Sequence, residues 1–560
     1  MSVALRDQRL SLRDLQEVNR SPRRAGDSRG SVPRPLVSGF SFIAVLAVLA
    51  ARNAFLFSNR YYEVGDEGAN SILIEQARQF KLLVGNYSRL GFNHPGPAYL
   101  YVQAWGEELC YDLLHVVPTP WNGQLLAVYA QNSVFVALAV AVVYGWARSL
   151  PAAAASLAAI AAFAAIHPMI WSSDWMPYLY VLTYALFILA AASVAAGAAR
   201  DVWIFALAGW FLIHGHAEYL FFVPALTALV LAALCWPRRR RILTALRTSA
   251  GASSRAFLAR RRRAWIPAAA ISAIFLLPIL INLALHWPGN FGKYFAYSDS
   301  AHSGGHSVIQ VVRYALWFWW PHPRAWAVAA ALGLAAAGAA LLTPRGPVRR
   351  LCLMLLAADA LSTVAFLAYA AVGIDELNQY YIGYFYWSAP VIAILVLALA
   401  GTGLVAGAAP GATRAAIAAG AAAAVALAGC AAFAVAPQTR LSTAHADPGD
   451  PAATGPVADP SLPVGVAWMA ALATGRYLVL TFSHDAWPAV TGILVQAERT
   501  GVPACVADPS WEFMVTSQFI CTPKEILDGR RFNVWEPGSV PRGVPAVFRL
   551  RRGIVTFGTK

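Results

Sequence analysis

The chain has 560 residues, 58% hydrophobic and 13% charged, and a mean hydropathy of +0.53, which excludes an ordinary water-soluble protein. Its formal net charge of +15 comes largely from arginine-rich connections of the kind that fix membrane topology, so no nucleic-acid partner is expected. Repeated apolar runs of about twenty residues match the hydrocarbon span of a bilayer.

Residues 1–35 form a basic tail with Arg6, Arg9, Arg13, Arg20, Arg23, Arg24, Arg29 and Arg34. The apolar stretch that follows begins too late and runs too long for a cleavable signal. Helices are expected near 36–57, 124–147, 152–170, 176–199, 202–215, 218–236, 265–285, 325–342, 351–372, 387–407 and 415–436. Arg148, Arg200, Arg238 to Arg241, Arg247, Arg255, Arg260 to Arg263, Arg345, Arg349, Arg350 and Arg414 fall in connections on the same side as the tail. The positive-inside rule makes that face cytoplasmic. The expected fold is an all-α polytopic membrane protein with about eleven transmembrane helices, occupying residues 36–436.

The first connection on the opposite side is long, from about residue 58 to 123. It opens with Gly65-Asp66-Glu67-Gly68, an acidic pair close to an apolar helix. An ionisable group near the bilayer is expensive unless it is paired or works. Ser71 to Leu83 mixes apolar and polar residues at helical spacing and is expected to lie along the interface. The glycines and prolines of Gly85 to Pro97 fix a backbone path that delivers Tyr87, Arg89 and His94 to one region. Tyr99 to Leu109 reads as a second surface helix.

Further polar groups fall on the same side. Asp174 stands in Trp171-Ser-Ser-Asp-Trp-Met-Pro177, and His214-Gly-His216-Ala-Glu218 separates the fifth and sixth helices. Lys293, Tyr294 and Arg313 lie between the seventh and eighth, and Asp375, Glu376, Tyr380 and Tyr381 between the ninth and tenth. Several have ordinary explanations: Asp174 as a helix N-cap, Trp317 to Trp320 as an interfacial belt, Asp375-Glu376 as a solvated loop pair.

Residues 437–468, rich in Pro, Ala and Gly, read as a linker, and 469–560 as a small α/β extracytoplasmic domain. Strands are expected over Arg476–Phe482, Val502–Asp508 and Ala546–Leu550, and a helix over Pro488–Arg499. No glycine-rich phosphate loop follows its first strand. Cys110, Cys235, Cys352 and Cys430 read as apolar filler, whereas an oxidising compartment would permit a Cys505–Cys521 disulfide.

This layout resembles the GT-C class of membrane glycosyltransferases over roughly residues 36–436: the acidic pair Asp66-Glu67 after the first helix, a long outer loop, a second outer acid at Asp174 and a soluble domain after the last helix. The segment Leu83 to Pro97, with Trp287-Pro-Gly-Asn290 and His216, is similar to a subgroup of bacterial proteins of that class. The second acid departs from the pattern, standing as Ser-Asp-Trp rather than as an acidic pair.

The resemblance implies a multi-pass protein of the bacterial inner membrane, with a periplasmic site that moves a sugar from a polyprenyl-phosphate donor to a hydroxyl on a glycan, lipid or protein acceptor. Asp66 would be the general base, with inversion at the anomeric carbon. Glu67 and Asp174 would orient the acceptor or share a divalent ion (Mg or Mn), with Asp66, Asp174 and His216 as its ligands. Arg89, His94, His216, Lys293 and Arg313 would stabilise the leaving phosphate, and Tyr87, His214, Glu218 and Tyr380 complete the substrate-binding set. A flippase or transporter for a lipid-linked saccharide is the alternative. Such proteins usually hold their polar groups at the bilayer midplane in repeated halves; here they gather at one face, without a clear repeat.

Overall fold

The structure, a computed structural model, describes residues 32–235, 251–301, 305–320, 323–408 and 460–558. The expected helix at 415–436, most of the tail, Arg238 to Arg241, Arg247, Arg414 and residues 437–459 of the expected linker lie outside the described residues.

The chain is mostly helical. Its helices are α1 (Arg34–Arg52), α2 (Gly65–Arg78), α3 (Ala98–Gly106), α4 (Pro120–Ala147), α5 (Leu150–Ile166), α6 (Met176–Ala195), α7 (Val202–Gly215), α8 (Tyr219–Cys235), α9 (Gly251–His286), α10 (Gly289–Ala301), α11 (Val308–Trp317), α12 (Ala325–Leu342), α13 (Pro347–Val372), α14 (Ser388–Ala408), α15 (Ser461–Ala473) and α16 (Trp487–Arg499). Among the described residues, seven segments are long and apolar enough to cross a membrane: α1, α4, α6, Ala264–His286, α12, α13 and Tyr380–Val405. The helices α5, α7 and α8, read as spans from the sequence, have only 17, 14 and 17 residues, at or below the length a bilayer core requires. Polar turns at His167-Pro168 and His216–Glu218 cut these apolar runs short.

Helix α6 is apolar on every side and lies at the centre, as such a helix must. Ala264–His286 and α12 instead expose most of their surface, including Ile274, Leu277 and Leu334, an apolar face suited to lipid. Arginines gather at one end of the bundle. Arg34 pairs with the buried Asp201 at 2.7 Å, which also accepts from Ser193 Oγ at 2.6 Å, and Arg200 donates to the Gly145 carbonyl at 2.7 Å. The opposite ends of α4 and α6, at Trp121 and Met176, adjoin the acidic loops.

Helix α2 does not lie along an interface. Ala69 and Ile72 join the core of the C-terminal domain, while Leu73, Ile74 and Ala77 join the membrane-domain core. Apolar residues on two faces require two partners, and the chain supplies both. Asp66 and Glu67 accordingly open α2 rather than follow the first helix directly, since α1 stops at Arg52. Helix α3 is likewise buried at Tyr99, Leu100 and Ala104.

The C-terminal domain begins with α15, whose Leu462, Val466 and Met469 are buried, so the boundary expected at 469 falls inside a helix. Two short strands of the first loop, β1 (Tyr87–Ser88) and β2 (Phe92–Asn93), form a hairpin. The domain's own strands β3 (Leu478–Phe482), β4 (Ala504–Val506), β5 (Arg530–Trp535), β6 (Phe548–Leu550) and β7 (Gly553–Phe557) make one sheet in the order β4-β3-β5-β7-β6, with β3 parallel to both neighbours. A Cys505–Cys521 disulfide, Cα atoms 5.0 Å apart, ties β4 to the segment that follows.

Helix α16 docks this domain onto α2. Thr491 Oγ1 donates to the Gly65 carbonyl at 3.1 Å. A Cβ added at Gly68 would stand 2.6 Å from Thr491 Oγ1 and 3.2 Å from backbone, so only glycine allows this approach. At the last turn of α16, Arg499 reaches Glu63 at 2.7 Å, Glu75 at 3.2 Å and Glu107 at 3.4 Å. Arg78 shares Glu107 at 2.8 Å and Glu75 at 3.3 Å. Burial, and then the charge of Glu107, push Glu75 up to about 7 against the pull of both arginines. Replacing Arg499 by Ala would leave buried Glu63 without its cation, and Glu75 and Glu107 with Arg78 alone, and should cost about 3–5 kcal/mol. Thermal unfolding of the purified protein measures this, and an unchanged midpoint would show that the cluster does not hold the domain.

Candidate functional site

Gly65 has φ +65°, a conformation that side chains resist, and it turns the chain into α2. Asp66 and Glu67 fall in the first turn, where the helix dipole favours negative charge. From Gly65 to Asn70 every residue is buried except Asp66, which opens into a cavity of about 540 Å³. Its carboxylate is held from two sides: Trp175 Nε1 donates to Oδ2 at 2.7 Å, and the Tyr87 hydroxyl donates to Oδ1. Burial and the neighbouring Asp66 charge hold the Tyr87 phenol well above its ordinary range, so it remains a donor.

The hairpin carrying Tyr87 is fixed through its backbone. His94 N donates to the Asn86 carbonyl at 2.9 Å, Gly85 N donates to the His94 carbonyl at 2.8 Å, and Gly91 turns the tip at φ +77°. Lys293 does not reach the cavity; its Nζ donates to the Gly91 carbonyl at 2.7 Å and braces the tip. Arg89 at the cavity wall places Nη2 2.6 Å from Asp375, so the Asp375-Glu376 pair is not merely solvated.

A second polar group lines the same cavity. The His94 and His216 rings lie 4.0 Å apart, tilted by 33°. The Ala217 amide donates to His94 Nδ1 at 3.2 Å and the Glu218 amide to His216 Nδ1 at 3.4 Å, which leaves Nε2 of each neutral ring as the protonated nitrogen. Burial, with His216 close by, holds His94 well below the usual imidazole range, and burial takes His216 down to about 3. Glu218, in the turn before α8, is pushed up to about 8 by burial, against a hydrogen bond from Tyr369. Burial thus favours the neutral form of all three groups.

The cavity thus gathers Asp66, Tyr87, Arg89, His94, His216 and Glu218. Glu67 is buried and Asp174 accepts from Trp121 Nε1 at 2.6 Å; neither lines the cavity. His214 packs under Gly96 and donates Nε2–H to the Phe275 carbonyl at 2.8 Å. Tyr380 stacks on Trp317 at 4.3 Å, and Arg313 is exposed on α11; both stand outside the lining. Trp317 and Phe318 themselves pack inward on Tyr314, Tyr380 and Trp387 rather than serving only as a belt. The set Asp66, Asp174 and His216 is not assembled as a metal site. Among the described residues no group of three or more His, Cys, Asp or Glu is placed to hold an ion, so no step is assigned to one.

Among the wall residues that sequence reasoning missed are Asn70, Trp175 and Trp487. Asn70 lies one helical turn after Asp66, and the i,i+4 spacing would have placed them on one face. Trp175 directly follows Asp174 and turns its indole to Asp66 instead. Trp487, from the C-terminal domain, carried no local signal. No family model matches this chain, and none of the curated proteins does.

Since the folded Glu218 holds its proton to higher pH than the unfolded chain, its stabilising contribution is full below the ordinary carboxylate range and is lost as pH rises through about 8. The unfolding midpoint should therefore fall across that window in wild type and fall less in Glu218→Gln. Parallel pH profiles of the two would contradict the assignment.

Proposed function

We propose that this protein is an integral-membrane glycosyltransferase of GT-C type, moving a sugar from a polyprenyl-phosphate donor to an acceptor hydroxyl. One observation carries the proposal: the half-open Asp66 carboxylate, gripped by Tyr87 and Trp175, faces an aromatic-lined cavity of about 540 Å³, within the range of sites for small molecules. The cavity lies at the end of the bundle away from the Arg34, Arg200 and Asp201 cluster. By the positive-inside rule that end would face away from the cytoplasm, which supports a site on the extracytoplasmic face of a bacterial inner membrane. The Cys505–Cys521 disulfide suits an oxidising compartment on that side. The short helices α5, α7 and α8, with 415–436, would complete eleven spans around the seven longest.

In this reading the acceptor hydroxyl attacks C1 from the face opposite the phosphate, and the configuration inverts. Asp66 takes the hydroxyl proton as the new C–O bond forms, while the C1–O bond to phosphate breaks and the electron pair leaves with the lipid phosphate. Trp175 and Tyr87 fix the direction of the carboxylate without neutralising it. Arg89 spends Nη2 on Asp375 and has Nη1 and Nε to offer the phosphate oxygens. Donor lipid would enter from the bilayer, and the acceptor, a glycan, lipid or protein, from the aqueous side.

Purified protein offered synthetic polyprenyl-phosphate sugars should transfer label to an acceptor or to water, and Asp66→Asn should lose at least about 100-fold in rate. Equal rates would remove Asp66 from the chemistry. Movement of lipid-linked saccharide across proteoliposomes without transfer would establish the transporter instead.

A further inference from the structure

Two buried side-chain oxygens in the cavity make no hydrogen bond: Asn70 Oδ1, and Glu218 Oε2, whose near neighbour is His216 Nδ1 at 3.5 Å. The Glu218 side chain is only 2% exposed. Buried polar atoms in folded proteins are nearly always satisfied, so two orphans lining one cavity point to a ligand that supplies the missing bonds. His94 and His216 have Nδ1 occupied by backbone amides and keep Nε2–H available. The unsatisfied groups therefore comprise both acceptors and donors, all without net charge. A hydroxyl group both donates and accepts, and a ring carrying several of them matches this set.

Charged sugars do not match it. Among the described residues Arg89 is the only Arg or Lys in the lining; its Nη2 is held by Asp375, and its remaining nitrogens are those offered to the donor phosphate. A uronate carboxylate beside Asn70, His94 and Glu218 would be buried without a cation. An ammonium group set against His94, His216 and Glu218 would meet two ring N–H donors and a carboxyl that burial keeps protonated, with no carboxylate among the three.

We propose that the cavity takes an uncharged sugar ring, read through its hydroxyls by Asn70, His94, His216 and Glu218, and that it rejects uronosyl and amino-sugar donors. This inference rests on the glycosyltransferase reading above and narrows it to one class of donor.

The test compares polyprenyl-phosphate-linked neutral hexose, uronic acid and amino sugar as donors for the purified full-length protein. The neutral donor should exceed both charged ones by at least about 100-fold in kcat/KM. Asn70→Leu and Glu218→Leu should each raise KM for the neutral donor at least about tenfold, with a smaller change in Glu218→Gln, whose amide still hydrogen-bonds. Turnover without discrimination, or leucine variants with unchanged KM, would overturn this inference and leave the transferase standing. Turnover of none of the donors would overturn both. The donor comparison uses wild type alone, so a variant that fails to fold does not blunt it.

Discussion

Glu63, Glu75 and Glu107 are buried together in the first loop, and like charges so placed repel unless a cation joins them. Arg78, on α2 itself, answers Glu75 and Glu107, but the cation that reaches all three comes from more than 390 residues away in the chain, as Arg499 at the end of α16. That ion cluster, with the close approach of Gly68 to Thr491, presses α16 against α2. Asp66 stands on the first turn of α2, and Trp487 at the start of α16 forms part of the same cavity wall. The C-terminal domain is thus a wall of the site and the clamp on the helix that aims its carboxylate. It is joined to the membrane domain by a packed core, in which Val64, Ala69 and Ile72 meet Leu462, Val490 and Ile493.

The cavity's electrostatics follow from the same economy of charge. Asp66 is held as an acceptor by two neutral donors, and Arg89 is matched by Asp375. His94, His216 and Glu218 are kept neutral by burial. A site built this way confines its negative charge to one carboxylate at the wall and leaves the remainder for hydrogen bonding. Low local dielectric strengthens each of those bonds when a ligand supplies the partner, and penalises each one left unmade.

Local patterns carried much of this in the sequence. Apolar runs marked the helices, Gly65-Asp66-Glu67-Gly68 marked the acid, and the spacing of glycine and proline over Gly85 to Pro97 marked the hairpin that brings Tyr87 to it. What stayed hidden depends on pairing across long distances. Nothing beside Arg499 shows that it belongs with Glu63 and Glu107. Strand β5, Arg530 to Trp535, alternates in burial but opens with two arginines that obscured it. Polar residues at loop ends all looked like ligands: Lys293, Arg313, His214 and Tyr380 prove to brace, stack or face outward, because a loop residue's direction is set by the hairpin or helix beneath it. The short helices α5 and α7 show a related limit, since hydropathy sees an apolar run but not the polar turn that cuts it.

The central claim is that Asp66, fixed by the clamp on α2, faces the reacting carbon of a sugar held in this cavity. A cryo-electron-microscopy structure of the full-length protein with a non-transferable polyprenyl-phosphonate sugar tests it most directly. The account predicts density for the sugar ring between Asp66 and the His94–His216 pair, with Asp66 on the side of C1 opposite the phosphonate. Density for the sugar elsewhere, or a lipid passing through the bundle with the cavity empty, would contradict it.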